Sequence, residues 1–385
     1  MEFALSKEQR LLKEKVRAFA EKEILPYRDA DEKERLFRPE LVRKMGEQGF
    51  LGSVIPLEYG GNGLGFLESV IIVEEISRIS PSYRAVVTIQ NLANALTLNY
   101  YGKEAQKQKF IPAWVEGKSI SYLAITEPGA GSDIASMESL AKDKGSYFEL
   151  SGRKSWVAFA PFAEWGLVYA YIDPAARYRG MACFLVNLKE DNGIRVEPIE
   201  SQMGLHCQPI GNIVFEGTRI PKERLVGEPG EGFYICMRQL NNTRITAAAA
   251  ALGIMEGCLE IVRKHVNERV QFGRKIKSFQ MIQASLADME TSLEAARLLT
   301  YQAAWLKDNG YPNQKQISIA KYFATEAAVK VANEAMTILG ACGYMGDYHV
   351  ERYLRDGKSL QIVEGTSNIH KSIIAGISVG ELPIR

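Results

Sequence analysis

Histidine and cysteine are scarce in this sequence, and their scarcity removes whole classes of chemistry. The four histidines, at positions 206, 265, 349 and 370, form no HExxH or other metal-ligand spacing, so no metal centre is expected. The five cysteines (Cys183, Cys207, Cys236, Cys258, Cys342) are dispersed, with no CxxC pair. Such an odd, scattered set reads as reduced thiols of a cytoplasmic protein, not as a disulfide framework. An excess of charge is missing too: 47 Lys and Arg against 46 Asp and Glu leave a net charge of +1. That balance excludes a nucleic-acid binder relying on a broad basic field, though not a local basic pocket for a phosphorylated ligand. No run approaches ~20 consecutive apolar residues, so no membrane span is expected. The opening MEFALSKEQRLLKEKV mixes acids and bases and lacks the apolar stretch of a signal peptide. Internal repeats and low-complexity tracts are also absent.

What is present is the composition of an ordinary globular chain, 46% apolar and 24% charged, and at 385 residues too long for one core. Ser6-Lys7-Glu8-Gln9 has a capping-box pattern, with Leu11, Leu12, Val16 and Phe19 falling on one helical face until Pro26. Residues 39–49 and 66–80 also read as helices. From about residue 120 to 225 the apolar runs become short and rich in β-branched and aromatic residues: Tyr147–Leu150, Leu167–Ile172, Ala182–Leu188, Ile194–Ile199 and Ile213–Phe215. Turn signals such as Asp191-Asn192-Gly193 separate them, as in a compact β-barrel or sandwich. Helical spacing then returns in Leu252–Val266, Phe279–Ala296 and Ile317–Leu339, long segments with short joins that suggest an antiparallel bundle.

Five segments carry groups suited to chemistry. Thr126-Glu127-Pro128-Gly129-Ala130-Gly131-Ser132-Asp133 is a loop whose backbone N–H groups could meet a flat heterocycle or a phosphate. Its ordinary alternative is a tight connection. Glu364, preceded by Ile362-Val363 and followed by Gly365, reads as a half-desolvated carboxylate, and desolvation strengthens a carboxylate as a base. The same carboxylate could merely oppose a helix macrodipole. Arg269-Val270-Gln271-Phe272-Gly273 offers a guanidinium fork for pyrophosphate and a ring face, or simply a solvated helix end. Arg84 and Arg244 are similarly two-sided, since a lone arginine is usually a surface group.

Taken together, these segments resemble the acyl-CoA dehydrogenase family over essentially the whole chain. ITEPGAGSD (125–133), KSW (154–156), ERVQFG (268–273), ILGACGY (338–344) and VEGTSNI (363–369) occur in the family's order and at family-like separations. The resemblance implies an α+β fold: an N-terminal helical domain (1–121), a middle β-barrel or sandwich domain (122–226) and a C-terminal four-helix bundle (227–385). It also implies a homotetramer with one FAD per subunit, an acyl-CoA substrate and an electron-transfer flavoprotein as acceptor, with no nucleic acid or membrane as partner. By the same resemblance Leu123, Ile125, Thr126 and Ser132 lie at the flavin or the adjoining ligand, and Trp156 and Ala158 beside the isoalloxazine. Arg269, Phe272 and Gln280 hold the adenosine-pyrophosphate half of FAD across a subunit interface. Thr337, Gly340, Thr366 and Asn368 complete the cofactor set. Ser132, Asn241, Arg244 and Gly365 fall near the thioester, and Glu364 matches the base that takes the acyl α-proton. In the family, the thioester oxygen is held by a flavin ribityl hydroxyl and the backbone N–H at the Glu364 position.

Three departures from the family pattern stand out. Trp156-Val157-Ala158 lacks the hydroxyl that commonly hydrogen-bonds flavin N5, Thr337 replaces a frequent Gln, and Ala341 replaces the second Gly of a usual pair. Ser82-Tyr83-Arg84-Ala85-Val86-Val87-Thr88-Ile89-Gln90 looks like the glutaryl-CoA dehydrogenase subgroup, in which an arginine at the Arg84 position pairs with the substrate's distal carboxylate. The decarboxylating members carry a Tyr before the catalytic Glu and a Glu seven residues before that Arg. Here those positions are Val363 and Ser77. The expectation is therefore a dehydrogenase of a dicarboxylic acyl-CoA that stops at the enoyl product. The alternatives are a cyclic or aryl-substituted acyl-CoA, with neutral Asn91 projecting toward its pocket, and a flavin oxidase or monooxygenase, which the missing hydroxyl at Ala158 keeps open. A non-catalytic relative acting in an assembly is a further alternative, weighed against by Glu364, the ITEPGAGSD loop and Arg269/Phe272.

Overall fold

A computed structural model of the chain describes residues 4–381. Ser6 opens the first helix as its spacing predicts. Its Oγ accepts from the Gln9 N–H while the Gln9 side chain accepts from the Ser6 N–H, heading α1 (Lys7–Phe19). Three helices follow, α2 (Arg28–Glu34), α3 (Pro39–Glu47) and α4 (Phe66–Ile79), the last two close to the spans read from periodicity. The N-terminus of α4 is capped from far along the chain: the Asp308 carboxylate accepts from the N–H groups of Phe66 at 2.6 Å and Leu67 at 3.1 Å.

After α4 the chain turns through Pro81–Tyr83 into α5 (Arg84–Val87), passes through π-helical turns at Thr88–Ala95, and continues as α6 (Leu96–Tyr101). Every residue from Arg84 to Leu98 is buried, so no polar face marks this run as helical in the sequence. Widened π turns are rare and often sit beside functional groups. Helix α7 (Glu104–Val115) then leads to the sheet.

Eight strands follow: β1 (Ser121–Ala124), β2 (Leu140–Asp143), β3 (Tyr147–Ala158), β4 (Trp165–Tyr171), β5 (Met181–Asn187), β6 (Ile194–Ile199), β7 (Ile210–Pro221) and β8 (Leu225–Val226). They form one sheet in the order β6-β7-β3-β2-β4-β5-β8, with β1 parallel to β4. Strands β4 and β5 are buried along their whole length, which is why they read as unbroken apolar runs. Strands β3 and β7 extend well past the predicted segments, because their alternating polar residues face outward and leave no apolar run to detect. Strands β1, β2 and β8 have two to four residues, too few for periodicity to show.

The remaining third is helical: α8 (Gly232–Glu268), α9 (Gln280–Asp308), α10 (Gln314–Leu339), the short α11 (Ala341–Tyr344), α12 (Val350–Leu360) and α13 (Ser367–Ser378). A small hairpin, β9 (Val270–Gln271) and β10 (Arg274–Lys275), joins α8 to α9. Helix α8 has a window of mean hydropathy 1.7, but 83% of that window is buried inside the protein, where α8 packs against α4, α9 and α10. Helix α12 is bolted to the end of α4. Arg352 Nη2 donates to Ile79 O at 2.9 Å, and the Tyr353 hydroxyl donates to Arg78 O. Asp356, also on α12, accepts from the Leu205 N–H in the sheet region at 2.6 Å. These bonds fix α12 against the end of α4, and the segments that follow the two helices meet where Arg84 reaches Glu364.

Replacing Asp308 with Ala removes the cap of α4 and is expected to destabilise the fold by about 1–2 kcal/mol. Thermal unfolding of Asp308→Ala checks this, and Asp308→Asn, which keeps an acceptor oxygen, is expected to recover part of the loss.

Candidate active site

Glu364 lies in the connection between α12 and α13 in a left-handed backbone conformation, φ 60°, and Gly365 follows at φ 100°. For a residue with a Cβ this conformation costs roughly 1–2 kcal/mol, so neighbours must hold it. Arg244 Nε on α8 donates to Glu364 O at 3.0 Å, and Lys321 Nζ on α10 donates to Gly365 O at 2.7 Å. Thr366 then caps α13, its Oγ1 accepting from the Ile369 N–H. The Glu364 side chain is 13% exposed, and its Oε1 accepts from Arg84 Nη1 at 2.8 Å. Two residues 280 apart in sequence therefore form an ion pair between a buried arginine and a half-buried carboxylate. Glu364 Oε2 and Arg84 Nε are buried without protein partners, leaving unfilled hydrogen-bonding capacity on both sides of the pair.

The surroundings are cationic. Burial lowers the Lys321 ammonium to about 8, against the supporting charge of Glu364 and with Arg244 and Arg84 opposing. Burial also lowers the Arg244 guanidinium, again partly offset by Glu364. His370, fully buried behind Gly365, is pushed down to about 3 by burial and by the charges of Arg244 and Lys321, only partly offset by the backbone of Glu364 and Gly365. It is a neutral filler of the turn.

The 125–133 loop and the KSW strand form one ledge. Ser155 N–H donates to Thr126 O at 2.8 Å, and the fully buried Lys154 Nζ donates to Ile125 O at 3.0 Å and to Glu127 Oε1 at 2.7 Å. Glu127 also accepts from the N–H groups of Glu138 and Ser139. Burial pushes the Glu127 carboxyl up, but Lys154 and these donors outweigh it and hold it below the usual carboxylate range. A Cβ at Gly129 or Gly131 would meet no protein atom within 4 Å, so nothing inside this chain demands glycine there. On the same ledge Leu123, Ile125 and Thr126 are half-buried, Ser132 is exposed, and Trp156 is 59% exposed at φ 55°. Ala158 packs against the core.

A second depression, about 750 Å³, lies where the β9–β10 hairpin, the start of α9 and the end of α10 meet. Arg269, Phe272, Gln280 and Gly340 line it, joined by His265 and Arg274. Phe272 is 94% exposed at φ 52°, a ring held away from its own chain. Two arginines, an uncovered aromatic face and the open space around Gly340 fit an adenosine pyrophosphate.

Other expected residues have different surroundings. Asn91 is fully buried and donates to Ser53 Oγ at 2.7 Å and to Ser69 Oγ at 3.4 Å, a polar knot with α4 that replaces the expected projection into an acyl pocket. Asn241 donates to Asn313 at 3.1 Å. Thr337 turns its hydroxyl onto Asn333 O at 3.0 Å, away from the depression that Gly340 lines, because a helical threonine readily bonds the carbonyl one turn back. Asn368 is exposed on α13. Lys154, seen in the sequence only as part of KSW, His370, seen only as a non-ligating histidine, and Lys321 take structural roles that their residue types did not indicate, although the two lysines stand in apolar patterns. Lys154 has the inward parity of Phe148 and Leu150, and Lys321 the phase of Ile317, Ala324 and Ala328.

Comparison with known proteins agrees with this geometry. The chain matches the acyl-CoA dehydrogenase N-terminal domain over residues 6–118, the middle domain over 123–218 and the C-terminal domain over 230–378. It is 43% identical over 379 residues to a glutaryl-CoA dehydrogenase of Desulfococcus multivorans, covering 97% of each chain. It is 38% identical over 372 residues to the mitochondrial short-chain specific acyl-CoA dehydrogenase of Rattus norvegicus, covering 97% of this chain and 90% of that protein. A solved glutaryl-coenzyme A dehydrogenase in complex with glutaryl-CoA superposes with a TM-score of 0.96 at 42% identity, over 99% of this chain and 97% of the other.

Removing Lys154 alone strands the Glu127 carboxylate in the interior. Lys154→Met is expected to destabilise the protein by about 3–5 kcal/mol in urea unfolding, with the Lys154→Met/Glu127→Gln double variant recovering much of it.

Proposed function

Because this chain belongs to the acyl-CoA dehydrogenase family, FAD-dependent oxidoreductases acting on the CH–CH bond of acyl-CoA thioesters, we propose that it oxidises a dicarboxylic acyl-CoA such as glutaryl-CoA, with Glu364 as base, and releases the enoyl product without decarboxylation. The observation that carries this reading is the Arg84–Glu364 ion pair, 2.8 Å long and largely removed from water. It sets a guanidinium fork directly against the proposed base, where a substrate carboxylate could take the place of Glu364.

When bound, FAD supplies the acceptor for the β-hydride. The protein's part is orientation and proton transfer. Glu364 takes the α-proton, a contribution of roughly 10²–10⁴-fold for a well-placed general base. Its own N–H makes no hydrogen bond among the described residues, and it donates to the thioester oxygen as enolate charge develops. Arg84 exchanges Glu364 for the distal carboxylate of the substrate, and its unpaired Nε supplies a further donor. Product release without loss of CO₂ is supported by Ser77, whose hydroxyl is buried without a partner, and by apolar Val363. At these positions decarboxylating relatives carry Glu and Tyr.

Arg269, Phe272, Gln280 and Gly340 hold the adenosine pyrophosphate of FAD in this reading, and the ledge of Ile125, Thr126 and Trp156 faces the flavin. A homotetramer is supported by large side chains left uncovered around the depression: Phe272, Met281 at 84% and Tyr344 at 82% exposure. A second copy of this chain covers them. An electron-transfer flavoprotein is the proposed acceptor.

Glutaryl-CoA incubated with the enzyme and an artificial acceptor is expected to give glutaconyl-CoA by mass spectrometry, and crotonyl-CoA plus CO₂ as main products would reject the reading. Arg84→Ala is expected to lower kcat/KM for glutaryl-CoA by about 10²-fold, within the range for truncating one partner of a buried charge pair. Unchanged activity on that substrate removes Arg84 as the anchor.

A further inference from the structure

Lys321 is fully buried on α10, in core register between Ile317 and Ala324, and among the described residues its one hydrogen-bond acceptor is Gly365 O at 2.7 Å. The preceding carbonyl, Glu364 O, is held by Arg244 Nε at 3.0 Å. Two cations from two helices therefore grip two successive carbonyls of a turn in which both residues have positive φ. We infer that Lys321 is a positioning residue for the reaction: by fixing the Gly365 carbonyl it holds both the Glu364 carboxylate and the Glu364 N–H in register with the thioester.

The physical case has two parts. A buried lysine is costly, and an unbranched apolar side chain of similar length would suit the core of α10 better. The lysine is therefore kept for what it holds. Second, displacing reacting groups by about 1 Å can lower a rate 10²-fold, so a clamp on the turn acts on kcat although it touches no substrate. The charged groups around its ammonium are Glu364 on the turn, Arg244 on α8, Arg84 on α5 and Glu326 on its own helix, while His370 on α13 lies close and neutral. With the ammonium brought down to about 8, the clamp weakens on the alkaline side of neutrality. The proton lost there is the one that makes the bond to Gly365 O charge-assisted.

This inference rests on Glu364 as the base, and the experiment separates the two. Holoenzymes of wild type, Lys321→Met, Lys321→Arg and Glu364→Gln are assayed on the acyl-CoA that wild type oxidises fastest. Acetoacetyl-CoA, which readily forms an enolate, serves as a binding probe. Lys321→Met is expected to lose about tenfold or more in kcat with KM nearly unchanged, to bind acetoacetyl-CoA about tenfold more weakly, and to melt no lower than wild type. Lys321→Arg, which keeps the charge, is expected to restore part of kcat. Wild-type kcat is expected to fall as pH rises through about 8, and Lys321→Met to lack that limb. Full kcat in Lys321→Met, or acetoacetyl-CoA affinity equal to wild type, overturns the inference while a dead Glu364→Gln leaves the base in place. Should Lys321→Met fail to fold, Lys321→Gln takes its place with the same two readouts, and full kcat with wild-type acetoacetyl-CoA affinity overturns the inference. An active Glu364→Gln overturns the base itself.

Discussion

A left-handed turn at Glu364–Gly365 persists in this protein because three buried cations act on it: Arg84 on the carboxylate, Arg244 on the Glu364 carbonyl and Lys321 on the Gly365 carbonyl. Each comes from a different helix, and each is nearly or wholly removed from water. Burying them costs stability that apolar side chains would not, and their mutual repulsion adds to it. The Glu364 carboxylate among them relieves part of that repulsion. The turn, the charge and the strain are consequently one arrangement, and a change to any member alters the others.

The scaffold exists to deliver those groups. Arg84 follows α4, Glu364 follows α12, and the bonds from Arg352 and Tyr353 to the last carbonyls of α4 fasten the start of α12 to the end of α4. Asp356 extends the same lock to the sheet through Leu205. On the sheet side, Lys154 and Glu127 do for the 125–133 ledge what Arg244 and Lys321 do for the turn. The two halves of an FAD-dependent acyl-CoA dehydrogenase are thus each braced by a lysine inside the core.

Much of this was legible in the sequence. The capping box of α1, the spans of α3 and α4, and the buried strands β4 and β5 follow from periodicity and composition, since each has either a two-sided pattern or a continuous apolar run. The helical run through Arg84 did not show, because burial on all sides erases amphipathic contrast. Residue types pointed to Glu364 and Arg269, and their roles came from the resemblance of ordered motifs. No spacing rule could foretell that Arg84 meets Glu364, a contact made only by tertiary packing. Lys154 and Lys321 were readable in principle, as lysines in core phase, but a single charged residue in an apolar pattern is easily passed over as snorkelling to the surface.

The central claim is that the Glu364 carboxylate removes the proton next to the thioester carbonyl. Its most direct test is hydrogen exchange at that carbon, followed by mass spectrometry of glutaryl-CoA held with the enzyme in D₂O without an electron acceptor. Wild type is predicted to introduce deuterium at the α-carbon, and Glu364→Gln to leave it protiated. Equal deuterium incorporation by both proteins would contradict the account.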